Sequence, residues 1–375
     1  TFEAAQARHR AKVPMRQSSI PPPVRVGHLV SMCDDTGLFQ HACHSVPDRS
    51  HGYCVDDNAR ALLVSSVLTA PGEQRVPEAL TERFAAFVQH AWNPEARRFR
   101  NFMSFARSWL EEIGSEDSHG RTLWALGECA RSDITPRRRG AAELFAEAAP
   151  QVESFHSPRA WAFTLLGLDA CIAVDARQYA LDLRHQLARR LMSLLAATET
   201  EDWVWFEEEL AYDNARLSQA LILTGMSTDT PEYVAAGLRT LRWLMALQTS
   251  EEGFFRPVGS KSFGDRRCHP QAFDQQPLEA AATISACLAA SRADEDPRWK
   301  ADAMRAFAWF HGSNDLSCPL VDLETGSCAD GLHPDRANEN RGGESVVSYL
   351  LGLAEIRQLA RLDTSFTRPT RLHAV

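Results

Sequence analysis

Residues 51–60, HGYCVDDNAR, set two adjacent aspartates, an asparagine and an arginine directly ahead of the apolar run ALLVSSVL. Neighbouring carboxylates suit acid–base chemistry, because the charge of one raises the pKa of the other and so favours a retained proton. Consecutive side chains at a helix start diverge by about 100°, so only one of Asp56 and Asp57 can face a substrate squarely. The other is expected to cap the helix or to bind Arg60. Further acids stand in SEDSHGR, with Asp117, and in WFEEELAYDNAR, with Glu207, Glu208 and Asp213. The expected catalytic pair is one of Asp56 and Asp57 with either Asp117 or Glu208. In an extended segment Glu208 would share a face with Phe206, although consecutive glutamates are also common on solvated loops. Asp117 equally suits a helix N-cap. Glu279, two residues after Pro277, suits a first helical turn, where a carboxylate complements the dipole without any catalytic duty.

DNAR occurs twice, at 57–60 and 213–216. Arg60, Arg121, Arg159 and Arg216 each stand just ahead of an apolar run, in DDNARALL, DSHGRTLWAL, FHSPRAWAFTLL and YDNARLSQALIL. Such a repeat suggests one structural unit used several times. A polar residue before the helix can cap it, while an arginine one turn in points back toward the same end. Capping with a salt bridge accounts for Asn58 and Asn214 as well as substrate contact does.

The elements that must position these residues are helical. Eleven segments with a 3.6-residue apolar period follow residue 54: 55–69, 77–92, 119–131, 137–149, 157–174, 177–198, 213–226, 231–248, 276–292, 297–311 and 343–361. FRNFMSF and WVWFEEEL alternate enough for brief strands or extended loops, but nothing builds a sheet. The fold class is all-α. Short, turn-like connections alternate with long ones rich in polar and aromatic residues, which implies helical hairpins with one functional end. Six helices, starting near 55, 119, 157, 213, 276 and 343, are apolar almost all round, and their partners are amphipathic. This pattern predicts an (α/α)6 barrel of six inner and six outer helices. The twelfth helix must come from the N-terminus, either from residues 2–12 or from VRVGHLVSM. The expected organisation is an N-terminal arm or extra helix over 1–24, a single barrel domain over 25–362 and a tail over 363–375.

The six long loops should converge on one mouth. Beyond the acids, the residues expected to contact a substrate there are His51, Tyr53, Asn58, Arg60, His119, Arg121, His156, Arg159, Trp205, Glu207, Tyr212, Asp213, Asn214, Arg216, Asp274, Gln275, Gln276, Glu279, Asn340 and Glu344. Sugars call for this mixture: aromatic faces stack on pyranose C–H groups, charged and amide groups bind vicinal hydroxyls, and two carboxyls act on the glycosidic bond. Cys33, His41, Cys43, His44, His51 and Cys54 lie close in sequence but include no CxxC pair, so no metal and no other cofactor is expected. With 40 basic against 49 acidic residues and a net charge of −9, the chain has no basic stripe or tail for nucleic acid. No apolar run reaches the roughly 18 residues of a membrane span. Nine scattered cysteines fit reduced thiols in a cytoplasmic protein, with a periplasmic location if an N-terminal signal has been removed.

The combination of HGYCVDDNARAL, SEDSHGRTLWALG, WFEEELAYDNARLSQALI, FDQQPLEA and NENRGGESVVSYLLGL resembles a group of bacterial six-hairpin, glycosidase-like domains, some joined to or encoded near glycosyltransferases. The likeness covers roughly residues 25–360. At the level of fold the chain is also similar to the wider (α/α)6 glycoside hydrolases, whose mannanase and glucanase members use carboxylates at this mouth, in some cases an adjacent Asp-Asp pair. The resemblance implies a glycosidase acting on a mannan- or glucan-like oligosaccharide or polysaccharide, with a glycosyltransferase as an associated partner. Folds of this kind host several chemistries, and two other readings stand beside it. One is a sugar isomerase or epimerase in which His119, His156 or His269 moves the proton. The other is a non-catalytic carbohydrate-binding domain that serves a glycosyltransferase.

Overall fold

The computed structural model describes residues 20–132 and 135–362. In chain order the helices are α1 (Gly27–Ser31), α2 (Val55–Val67), α3 (Glu78–Ala91), α4 (Glu116–Ala130), α5 (Thr135–Ala148), α6 (Pro158–Ile172), α7 (Gln178–Thr198), α8 (Ala215–Ser227), α9 (Pro231–Leu247), α10 (Pro277–Ala293), α11 (Arg298–Phe310) and α12 (Gly343–Leu362). The even-numbered helices close a ring, each packed against the next and α12 against α2. The odd-numbered helices pack around that ring, α3 on α2, α5 on α4, α7 on α6, α9 on α8, α11 on α10 and α1 on α12. This is the (α/α)6 barrel.

The inner helices take these positions because they have no polar face to give to water. On α10, Ala280, Ala281, Ala282, Ile284, Ala286, Cys287, Ala289 and Ala290 are all buried. Pro158, Pro231 and Pro277 each open a helix, where the missing N–H is harmless and the fixed φ is already helical. All eleven expected segments are helical, with ends shifted by up to a few residues. The shift matters for α4, which starts at Glu116 behind the N-cap Ser115. Asp117 therefore sits in the first turn, not at the cap. The twelfth position is filled from VRVGHLVSM by the five-residue α1, while residues 2–12 and the tail 363–375 lie outside the described residues. Arg357 of α12 holds the strand of chain before α1 by donating to the carbonyls of Pro21 and Pro22, both at 2.7 Å.

Among the described residues, strands are confined to the long loops, in four antiparallel pairs: β1 (Ala42–Cys43) with β2 (Val46–Pro47), β3 (Tyr53–Cys54) with β6 (Phe102–Met103), β4 (Trp92–Asn93) with β5 (Arg98–Phe99), and β7 (Gly331–Leu332) with β8 (Ala337–Asn338). FRNFMSF thus contributes to two strands. WVWFEEEL forms none; it runs through successive bends, so the alternation expected for Glu208 is absent and Phe206 is buried while Glu208 is not. No helix among the described residues is long and apolar enough to cross a membrane.

Helices α4 and α6 approach backbone to backbone. A Cβ on Gly127 would lie 2.2 Å from the Gly167 carbonyl oxygen, and one on Gly167 would lie 2.5 Å from the Leu123 carbonyl oxygen. Gly127→Ala should therefore destabilise the fold by about 1–3 kcal/mol through overpacking that rigid backbone cannot relieve. Gly140→Ala, on an exposed helix face with nothing within 4 Å, should stabilise it by about 0.5–1 kcal/mol. Denaturant melts of the two variants check both signs.

Candidate active site

First-turn and cap residues of all six inner helices are joined in one network of hydrogen bonds and ion pairs, which brings the six N-termini together at one end of the barrel. Those ends carry positive partial charge, so carboxylates are favoured there and arginines are not. The four arginines are nevertheless buried among them: Arg60, Arg121, Arg159 and Arg216 are each at most 9% exposed. A buried guanidinium must be paired, and this requirement organises the site.

Arg60 Nη1 lies 2.9 Å from Asp56, 3.1 Å from Asp57 and 2.8 Å from Glu344, which joins α2 to α12. Those three carboxylates are also close enough together to surround a metal ion, and the Arg60 nitrogen occupies that cationic position. Arg121 bridges Asp56 at 3.0 Å and Asp213 at 2.9 Å, joining α2, α4 and α8. Its guanidinium also lies 4.2 Å over the ring of Phe163 on α6. Arg159 forms a two-pronged pair with Glu207, at 2.8 and 3.0 Å, and donates to the Tyr212 carbonyl at 2.5 Å. Asp117 accepts hydrogen bonds from the hydroxyls of Ser157 and Tyr212, linking α4 to α6 and to the loop before α8. Asp213 adopts φ of +52°, a conformation that short polar residues tolerate. In it the Asp213 N–H donates to Glu279 of α10, while the carboxylate lies between Arg121 and Arg216.

The repeated DNAR has a specific structural use. Asn58 accepts from the Leu38 N–H at 2.8 Å and donates to the Leu38 carbonyl at 3.2 Å. Asn214 does the same with Ala211, at 3.1 and 2.6 Å. Neither side chain caps its own helix; each clamps one residue of an incoming loop by both backbone groups. In both copies the arginine three residues after the aspartate turns back to it, at 3.1 Å for Arg60 and 3.6 Å for Arg216.

Six carboxyls (Asp56, Asp57, Glu207, Asp213, Glu279 and Glu344) thus lie among four guanidiniums, and burial resolves the excess by favouring protonation. Burial, opposed by Arg60, raises the pKa of Asp56 and pushes Asp57 well up. Asp213 and Glu207 are raised for the same reason against the pull of Arg216 and Arg159. Glu279 rises to about 8, through burial and then the charge of Asp213. The sequence marked Glu279 as a dipole partner and a substrate contact; its proton-holding environment comes from burial and from Asp213, 66 residues away, which no local pattern reveals.

The network is partly open at the mouth. The side chains of Asp56 and Glu207 are each 19% exposed and that of Glu344 is 38% exposed, whereas Asp57 and Asp213 lie behind them. Of the adjacent aspartates, Asp56 is the one that reaches the opening and Asp57 the one held inward on Arg60. Tyr212 is half-buried; its hydroxyl donates to Asp117 and lies within electrostatic reach of Asp56. Gln276, the N-cap residue of α10, is also partly exposed.

Other residues picked from the sequence stand elsewhere. Glu208 points outward to Arg267 and Arg266, whose hydrogen bonds lower its pKa to about 2 and hold it on a surface pair away from the mouth network. Tyr53 is buried against Phe39 and donates to Asp34 at 2.6 Å. His119 is sealed among Phe99, Phe155 and Trp92, and burial lowers its pKa to about 3. Trp205 is a core residue stacked near Trp243. Gln275 is buried, donating to Asp315 and accepting from Trp309. His51 is exposed beside His41 and Asp48, His156 is exposed near Glu116, and Asn340 accepts from the His44 N–H. Asp274 pairs with His333 at 2.9 Å, both about 30% exposed. Sequence pattern treats all of these alike, because it places residues in loops without showing which way a loop turns them.

No protein-family model and no curated protein sequence matches the chain. Solved structures do resemble it. A cellobiose 2-epimerase from Bacillus thermoamylovorans aligns with a TM-score of 0.69 at 9% identity, over 88% of this chain and 96% of that one. A D-mannose isomerase aligns with a TM-score of 0.68 at 11% identity, over 89% and 94%. An α-1,6-mannanase from Salegentibacter aligns with a TM-score of 0.62 at 10% identity, over 89% and 96%. That structure is of an inactive variant, with two consecutive aspartates changed to alanine, in complex with α-1,6-mannotetrose. The chain shares with these enzymes the six-hairpin (α/α)6 fold.

Two predictions follow from the pairing. Arg121→Met leaves Asp56 to Arg60 alone and Asp213 to the more distant Arg216, and should cost about 3 kcal/mol in denaturant unfolding, the low end for breaking a buried pair because each acid keeps one cation. Glu279 has a folded-state pKa above its unfolded value, so its contribution to stability is fully present below about pH 4.5 and is lost as the pH rises to about 8. The difference in unfolding free energy between wild type and Glu279→Gln should change across that window by up to about 1.4 kcal/mol per pH unit and flatten above it.

Proposed function

We propose that the chain is a carbohydrate-processing enzyme, a glycoside hydrolase in which Asp56 and Asp117 act on the glycosidic bond of an oligosaccharide or polysaccharide. The observation that carries this reading is the Tyr212 hydroxyl, bonded to Asp117 and within electrostatic reach of Asp56, with those carboxyls on the open side of the network. Asp56 is the general acid: burial favours its proton, and Asp57 stands behind it on Arg60. Asp117, oriented by Ser157 and Tyr212, is the base or nucleophile. Glu207, Glu344 and Gln276 are placed to bind sugar hydroxyls. The partly exposed Phe105 and Phe273 take the stacking role that the buried Trp205 cannot. Consecutive aspartates at the start of α2, and the likeness to a mannanase inactivated at two consecutive aspartates, support a mannan- or glucan-like substrate.

A second reading rests on the partly exposed His333–Asp274 pair, in the loops ahead of α12 and α10, and on the epimerase and isomerase likenesses. In it His333, held by Asp274, moves a proton on a sugar; His119, His156 and His269 have no part in that pair.

Product analysis separates the readings. Hydrolysis shortens an oligosaccharide of a mannan or glucan panel, and Asp56→Asn and Asp117→Asn should each lower kcat/KM by about 10²–10⁴-fold, while Glu208→Gln leaves it nearly unchanged. An isomerised sugar of unchanged mass, abolished by His333→Asn and not by Asp117→Asn, would favour the second reading. Unchanged oligosaccharide that still raises the melting temperature would mark a binding domain of the kind that serves a glycosyltransferase.

A further inference from the structure

A cavity of about 20 Å³ lies among the inner helices, room for about one small molecule or ion. Arg60, Arg121, Asp213 and Arg216 line it together with apolar side chains that include Leu278 and Val347. Three guanidiniums and one carboxyl line the space, while Asp56, Asp57 and Glu344, which pair with Arg60 and Arg121, are not on its wall. The Nε–H groups of Arg121 and Arg216 are buried and have no hydrogen-bond partner among the described residues, although these two side chains are 1% and 3% exposed. An orphaned buried donor is costly and calls for an acceptor.

Arg216 is the least compensated of the four arginines. Arg60, Arg121 and Arg159 each hydrogen-bond a carboxylate. Arg216 instead donates to the neutral Gln219 at 2.7 Å and stacks 4.6 Å over Trp124, and its Nε faces Asp213 Oδ1 only at 3.6 Å, an ion pair too long for a hydrogen bond.

We infer that this cavity is a binding site for a single halide ion, chloride in ordinary buffers, held by the Nε–H groups of Arg121 and Arg216. A water molecule could accept from the same donors but would need acceptors for its own two hydrogens. The acceptors on the wall are Asp213, which already faces Arg121 and Arg216, and the Ser348 hydroxyl, which can equally donate to an anion. A halide needs donors only and tolerates the apolar remainder of the wall. The site lies behind the carboxyls of the mouth and does not depend on which reaction occurs there.

Melting curves at constant ionic strength, with sodium gluconate replaced stepwise by sodium chloride or bromide, test the assignment. Wild type should show a rise in Tm that saturates with halide, as expected for a ligand bound only by the folded state. Arg216→Gln should lose that rise, whereas Arg239→Gln, which removes an exposed cation paired with Glu199, should keep it. Val347→Leu, which fills the cavity and leaves every charge in place, should also lose it and serves if Arg216→Gln does not fold. A bromide-soaked crystal should give an anomalous peak within hydrogen-bonding distance of both Nε atoms. A halide response that persists in Val347→Leu, or cavity density with no anomalous signal, would overturn the inference and leave a water there.

Discussion

Four guanidiniums buried at the positive ends of inner helices are the constraint on which the rest of this structure depends. Each would be intolerable alone, since burial and the helix dipoles both oppose it. The acids paired with them come from α2, α12 and the loop ahead of α8, so pairing the arginines also fixes how those helix starts sit relative to α4 and α6, which carry Arg121 and Arg159. Arg60 joins the two ends of the ring, α2 and α12; Arg121 spans α2, α4 and α8; Arg159 ties α6 to the loop ahead of α8. The close backbone contact of α4 with α6 complements this from below, through glycines where any side chain would intrude.

The same pairing creates the chemistry. Carboxyls outnumber guanidiniums, so protons are retained in a low-dielectric interior, and the groups nearest the opening inherit a perturbed titration. Perturbed acids in a concave site are a mark of function, but structural ion-pair networks perturb acids too. What separates the two at this mouth is position: Asp57 and Asp213 serve the arginines from within, while Asp56 does so with part of its side chain turned outward. The fold by itself does not choose between hydrolysis and epimerisation, since it hosts both kinds of enzyme.

Much of this was legible in the sequence. Apolar periodicity and alternating loop lengths gave the eleven long helices and the barrel, because inner helices without a polar face have few other ways to pack. The arginines at four helix starts were visible as a repeat. Their partners were less so: Asp56 with Arg121, Asp213 with Arg121 and Glu279 with Asp213 are separated by 65, 92 and 66 residues. Loop residues fared worst. Trp205 and Tyr53 look like sugar platforms and are core, and His119 looks like a proton shuttle and is sealed among aromatic rings. The repeated asparagine was read as a cap or a ligand, and it is a clamp on the loop before its helix.

The central claim is that the open side of the arginine–carboxylate network is where a sugar is processed. A crystal structure of the Asp56→Asn protein soaked with an oligosaccharide tests it most directly. The account predicts a sugar at the mouth, with a glycosidic oxygen beside residue 56 and Asp117 on the other side of the anomeric carbon. A sugar bound away from both, over the His333–Asp274 pair or outside the barrel mouth, would contradict it.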